Sequence, residues 1–171
     1  MKLQSAIIIL LLVFLFSCKS KTAFDYSQQI VQMETELSAD IAIADEKVGK
    51  FLGAEQNDSA IIITQQMEEL VDKKLKEVQQ LDAPNVEEAD NFKKEAVRYF
   101  SYLKSIYTSF KRFTMAATDE TKETERLKLV RIVNEKEEAA GALQAAQQKF
   151  AAANNFRIEK MKKEKVKAKS E

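Results

Sequence analysis

Pro84 is the only proline in the 171-residue chain, and three glycines are the only other strong helix breakers. A chain so poor in breakers cannot supply the tight turns that strands need, so apolar residues at helical spacing dominate the reading. Each break falls between two such stretches. The first is "QND" after Gly49 and Gly53, the second "DAPN" at Asp82–Asn85, and the third "AATDET" at Ala116–Thr121.

The first stretch carries Ile30, Met33, Leu37, Ile41, Ala44, Val48 and Phe51 at steps of three and four, with Thr22-x-x-Asp25 as a capping box at its start. The second begins near Asn57–Ser59 and aligns Ile63, Met67, Leu70, Val71, Leu75, Val78 and Leu81. Ile61-Ile62-Ile63 also suits a strand, but the helical period continues through to Leu81. Asn85-x-x-Glu88 offers a cap for the third stretch, whose stripe is Phe92, Ala96, Tyr99, Leu103, Ile106, Phe110 and Phe113. Thr118 or Asp119 caps the fourth, which is read as one helix to about Asn154, apolar at Leu127, Val130 and Val133 and then rich in alanine. Short connections favour antiparallel neighbours. The fold expected is all-α, an up-down-up-down antiparallel four-helix bundle over residues 24–156.

The amino end is of a different kind. After Lys2, the run Ala6–Phe16 is wholly apolar. Its eleven residues span about 16 Å as a helix, against about 30 Å for the hydrocarbon core of a bilayer. That length suits the apolar region of a signal peptide better than a membrane span. The run ends in Leu15-Phe16-Ser17-Cys18, which holds the chain's one cysteine. These four residues resemble the lipobox of bacterial lipoproteins, with an aliphatic residue at −3 and a small one at −1. Phe16, at −2, is bulkier than that pattern usually carries. The resemblance implies a signal peptide over 1–17, cleavage before Cys18, acylation of Cys18, and an acylated tether over 18–23. An ordinary signal peptide and an uncleaved anchor are the alternatives. Two or three acyl chains hold a protein stably where one does so marginally. The tether, "KSK", lacks an acidic run of the kind that accompanies surface export in some Bacteroidetes-like lipoproteins. This points to the periplasmic face of the outer membrane, with the cell surface as the other option.

The absences exclude several chemistries. There is no histidine, and one cysteine allows neither an internal disulfide nor a thiolate zinc site. No cofactor, no metal and no catalytic residue is expected, and the chain is read as a non-enzyme, carboxylate chemistry at a residue such as Glu137 being the exception. The chain is neutral overall, which gives no general pull toward nucleic acid. From Arg157 onward, however, seven cations face three acids, for a net charge of +4. The signal segment carries +1, so residues 18–156 carry −5. Residues 157–171 are expected to form a basic, disordered tail, with anionic lipid or a cell-wall polymer as conceivable contacts.

Candidate interaction residues come from the third and fourth stretches. Tyr102 and Tyr107 flank the third stripe, where their hydroxyls can reach a partner or line a groove. Lys136 and Glu137 interrupt the fourth stripe, which suits either a charged pocket or a solvated face. Gly141, among alanines, costs about 1 kcal/mol relative to Ala in a helix interior, so a packing reason is expected. The rings among cations in "RYFSYLKSIYTSFKRF" read as core packing rather than base stacking, because most rings share the apolar stripe. With its lipobox, four helices and the ending "QKFAAANNF", the chain is similar to small helical surface lipoproteins of spirochaetes and Bacteroidetes. That resemblance implies an envelope bundle and carries over only Cys18. The expected function is a lipid-anchored, non-enzymatic binding or interaction module that meets an envelope protein or polymer. A periplasmic binder or sensor for a lipid or metabolite is the alternative.

Overall fold

A computed structural model describes residues 2–158, with side chains from Ser20 onward. The Cys18 thiol, the side chains of the signal segment and nearly all of the basic tail lie outside the described residues. The chain is all-α: α1 (Lys2–Gly53), α2 (Asn57–Gln80), α3 (Ala89–Thr114), α4 (Asp119–Asn134) and α5 (Lys136–Ala153), with no strand among the described residues. The stretch Ile61–Ile63 is helical.

α3 is the central element, packed against α2, α4 and α5, and its side chains reach across to α1 through Phe92 on Tyr26 and Tyr107 on Asp45. It therefore buries more of its circumference than one stripe would. Phe92, Ala96, Tyr99 and Leu103 are buried as the spacing predicts, but so are Phe100 and Tyr107, while Ile106, Phe110 and Phe113 are only half-buried. At one end of the core Tyr26, Phe92 and Phe150 form an aromatic cluster. Phe92 stacks on Phe150, and Tyr26 meets both edge-on at 6.1 and 6.0 Å. Ile30, Leu37, Val71 and Val78 extend the core between α1 and α2.

Polar contacts fix how the helices register. Glu36 of α1 meets Lys74 of α2 at 3.1 Å. Between α2 and α3, Asp72 pairs with Lys104 and Glu68 with Lys111. Tyr107 of α3 reaches Asp45 of α1, and Arg98 of α3 reaches Glu138 of α5 at 3.4 Å.

Helix ends follow the predicted signals only in part. Thr118 does cap α4: its hydroxyl accepts from the Thr121 N–H, and Thr121 answers the Thr118 N–H, each at 3.2 Å. Thr22 does not start a helix, because α1 runs straight through it and Ala23 beyond is already buried. Asn85 is not a cap either. The residue before α3 is Glu88, in left-handed backbone at φ 61°. Gly53 is the last residue of α1, yet the left-handed turn that closes the helix falls on Glu55 (φ 58°), where Gln56 N–H returns to Phe51 O at 2.9 Å. α5 closes the same way on Asn155 (φ 57°), with Phe156 N–H bonded to Ala151 O at 3.1 Å. The Phe156 ring folds back onto Phe150 at 5.6 Å. This hydrophobic contact across a left-handed cap explains the phrase "FAAANNF" as a helix stop. Asn154 then ties the corner down by donating to Glu87 O and Phe150 O.

The single fourth helix expected from the sequence is two. α4 ends at Asn134 and α5 begins at Lys136, with Glu135 between them at ψ 0°. No α4 residue is buried, and Leu127, Val130 and Val133, expected on the core stripe, are 53%, 44% and 44% exposed. Instead α4 turns Glu125, Leu129 and Ile132 toward α3. Beyond the break, α5 brings Ala146 and Phe150 into the core.

Candidate functional site

The α4–α5 break gathers three of the residues singled out by the sequence. The Tyr102 hydroxyl lies 3.5 Å from Val133 O at the end of α4, a carbonyl that also takes the Glu135 N–H. Tyr102 is half-buried, and burial followed by the nearby Glu135 charge raises its pKa. Tyr107 does not flank the core as expected but lies inside it, 4% exposed. Only its hydroxyl emerges, donating to Asp45 Oδ1 at 3.2 Å. Burial, then the adjacent Asp45 charge, pushes the Tyr107 phenol far above its ordinary 10.0.

Asp45 is an exposed residue, yet its carboxylate is partly desolvated where it meets Tyr107. That desolvation raises its pKa against the opposing hydrogen bond from Tyr107 and the charge of Lys136. Lys136 thus sits close enough to feel Asp45 while remaining exposed. The spacing did not reveal Asp45, because it lies on α1, far along the chain from both partners.

Glu137 and Gly141 stand apart from this group. Glu137 is exposed. Gly141 has no packing reason, since a Cβ built there would have nothing within 4 Å. The interruption of the stripe at Lys136–Glu137 therefore marks a helix break rather than a charged pocket.

A separate cleft of about 180 Å³ opens between α1, α3 and α5. Ile30, Phe92, Tyr99 and Leu143 give it an apolar floor, and Glu34 and Gln147 line its polar side. The Tyr99 hydroxyl approaches Glu34 Oε1 at 3.5 Å, and its pKa is pushed up to about 12, first by burial and then by Glu34. The cleft thus lies between Tyr99 and the alanine-rich α5, and Tyr107 does not line it.

Among the described residues no group of three or more Cys, His, Asp or Glu side chains is placed to hold a metal ion. No helix among them is long and apolar enough to cross a membrane. No family model, curated protein or solved structure matches the chain.

Proposed function

We propose that this is a lipid-anchored bacterial envelope protein, a non-enzymatic helical module that holds a partner on its surface. The observation that carries the interaction role is α4. It leaves Leu127, Val130 and Val133 exposed together on one side of a helix that contributes no buried residue. Exposed apolar side chains repeated along one helix suit a partner surface better than a merely solvated helix. The anchoring role rests on the apolar run and on Cys18 within Leu15-Phe16-Ser17-Cys18. We place the protein on the outer membrane, facing the periplasm.

The finer topology belongs to the same reading. Tyr99 and Tyr107 meet Glu34 and Asp45 in rising order along both helices, which supports a parallel α1 and α3. Contacts of α3 with α2, and of α3 with the α4–α5 arm, run in opposite order, which supports an up-down-up-down bundle in which α4 and α5 share the fourth position.

Two measurements test this reading. Cys18→Ala is expected to leave the membrane fraction, and equal retention would overturn the anchor. A photo-crosslinking residue at Val130 is expected to capture a discrete envelope partner in cells, while one at Lys73 on the far side captures none. Silence at Val130, or identical products at both positions, would remove the interaction role.

The α1/α5 cleft favours a second reading, a binder of a small lipid or metabolite. Its apolar floor and few polar groups match the lining of ligand sites. Native mass spectrometry of the protein purified from its source cells is expected to show a retained small molecule, lost when Leu143→Trp fills the cleft. A mass equal to that of the chain with its acyl groups would exclude this reading.

A further inference from the structure

α3 and α4 enclose a groove of about 450 Å³ that neither reading uses. Its lining is cationic: Lys104 and Arg112 from α3, Lys128 and Arg131 from α4, with Ser105 and Thr108 between them. Two of the four charges are already answered. Lys104 pairs with Asp72, and Lys128 with Glu125 at 2.7 Å. Arg112 and Arg131 have no ion-pair or hydrogen-bonding partner among the described residues, so the groove keeps a net positive charge. It does so on a body, residues 18–156, whose formal charge is −5. Scattered surface lysines need no explanation, whereas four cations collected in one concavity raise the local concentration of anions.

The spacing of the cations describes the ligand. Lys104 and Arg112 are eight residues apart on one helix, about 12 Å along its axis at 1.5 Å per residue. Tyr102 lies level with Val133, so Arg131 falls near the Lys104 end of the groove, Lys128 near its middle, and Arg112 alone at the far end. A single phosphate reaches one end only. A molecule carrying anionic groups along its length reaches both. Each guanidinium can grip an oxyanion through two parallel N–H donors, a fit that favours phosphate oxygens over a diffuse negative surface. The Ser105 and Thr108 hydroxyls are engaged with Tyr102 O and Glu68, so the arginines provide the recognition.

We propose that the α3/α4 groove binds an elongated phosphate-bearing molecule, with Arg112 and Arg131 holding its two ends. The phosphates can belong to a soluble compound or to lipid headgroups, and the test separates these sources. The full chain, purified in detergent, is titrated calorimetrically with inorganic tripolyphosphate and with monophosphate. The Cys18→Ala chain, which has no acyl group to insert into a bilayer, is floated with vesicles of phosphatidylglycerol in phosphatidylcholine, and with vesicles of phosphatidylcholine alone.

Tripolyphosphate is expected to bind about tenfold or more tightly than monophosphate, the gain of one further charge-assisted contact. Arg112→Gln with Arg131→Gln is expected to remove at least that tenfold. Both side chains are exposed, so the variant should fold, which circular dichroism checks. Lys73→Gln with Lys149→Gln removes the same charge elsewhere and is expected to leave binding unchanged. Binding confined to phosphatidylglycerol vesicles and lost in the arginine variant supports the site with a lipid headgroup as its ligand. Binding of neither probe, or equal losses in the arginine and lysine variants, would overturn the proposal.

Discussion

Phe92 and Phe150 stack with ring centroids 5.3 Å apart and planes 20° from parallel. The two rings are 1% and 0% exposed, respectively. The contact joins α3 to α5, and it is the main apolar attachment α5 has. The other buried side chains of α5 are the small Ala146 and Ala151. Phe150→Ala is therefore expected to cost about 3–5 kcal/mol, the range for removing a buried aromatic ring. Denaturant unfolding measures the loss. Amide exchange should show α5 and its Asn155 cap losing protection before α2 does. A loss under about 1 kcal/mol would mean that the Asn154 hydrogen bonds, not the rings, hold this corner.

Gly141 makes the opposite case. It sits in the interior of α5, exposed, with open space where a side chain would project. Replacing it adds no clash and removes backbone freedom from the unfolded chain. Gly141→Ala is expected to stabilise the protein by about 0.5–1 kcal/mol, read as a higher denaturant midpoint with an unchanged slope. A destabilised variant would reveal a neighbour for this helix face that the chain itself does not supply.

Legibility from sequence followed the physics of each element. The stripes of α1 and α2 were readable because each packs one face, and Ile30, Leu37, Val71 and Val78 are buried as their spacing predicts. α3 defied a single stripe because it is surrounded, so Phe100 and Tyr107 went inward. α4 misled for the reverse reason: Leu127, Val130 and Val133 keep helical spacing, but nothing covers them. The sequence left Thr118 or Asp119 as the cap of α4, and the reciprocal bonds of Thr118 with Thr121 select the first. The end of the last helix near Asn154 was legible as well, but its left-handed Asn155 and the Phe156 ring that folds back were not. Of the candidate site, Tyr107 and Lys136 are legible in the sequence. Asp45, which joins them, needs the fold to come near.

Glu68 links α2 to α3 by accepting from the Thr108 hydroxyl at 2.7 Å and by pairing with Lys111. Its partial burial alone would raise its pKa. The bonds from Lys111 and Thr108, with the charges of Lys111 and Lys104, outweigh this and hold it below the ordinary 4.5. A depressed carboxyl contributes stability above its unfolded pKa and loses it as pH falls through the folded value. Glu68→Gln is expected to cost roughly 1 kcal/mol at neutral pH. The gap from the parent protein should close as pH drops below 4.5. Unfolding midpoints across that range measure it, and a gap independent of pH would show that packing, not charge, is what the substitution disturbs.

Tyr26 and Tyr99 govern the alkaline limit. Burial, then the charges of Asp90 and Glu34 respectively, pushes each phenol from 10.0 up to about 12. For a group whose pKa is raised by folding, the stabilisation is complete below the unfolded value and is lost as pH rises through the folded one. Stability is thus expected to fall between pH 10 and pH 12, with tyrosinate absorbance appearing together with unfolding rather than before it. The Tyr26 hydroxyl is buried without a hydrogen-bonding partner among the described residues, so Tyr26→Phe removes a desolvated group and leaves nothing unpaired. That variant is expected to match or exceed the parent at neutral pH and to unfold at higher pH than the parent does. Tyr99→Phe is expected to shift the alkaline limit upward in the same way, since Phe cannot ionise beside Glu34. Tyrosinate absorbance that rises near pH 10 while the helical signal stays intact would show that these rings are open to water.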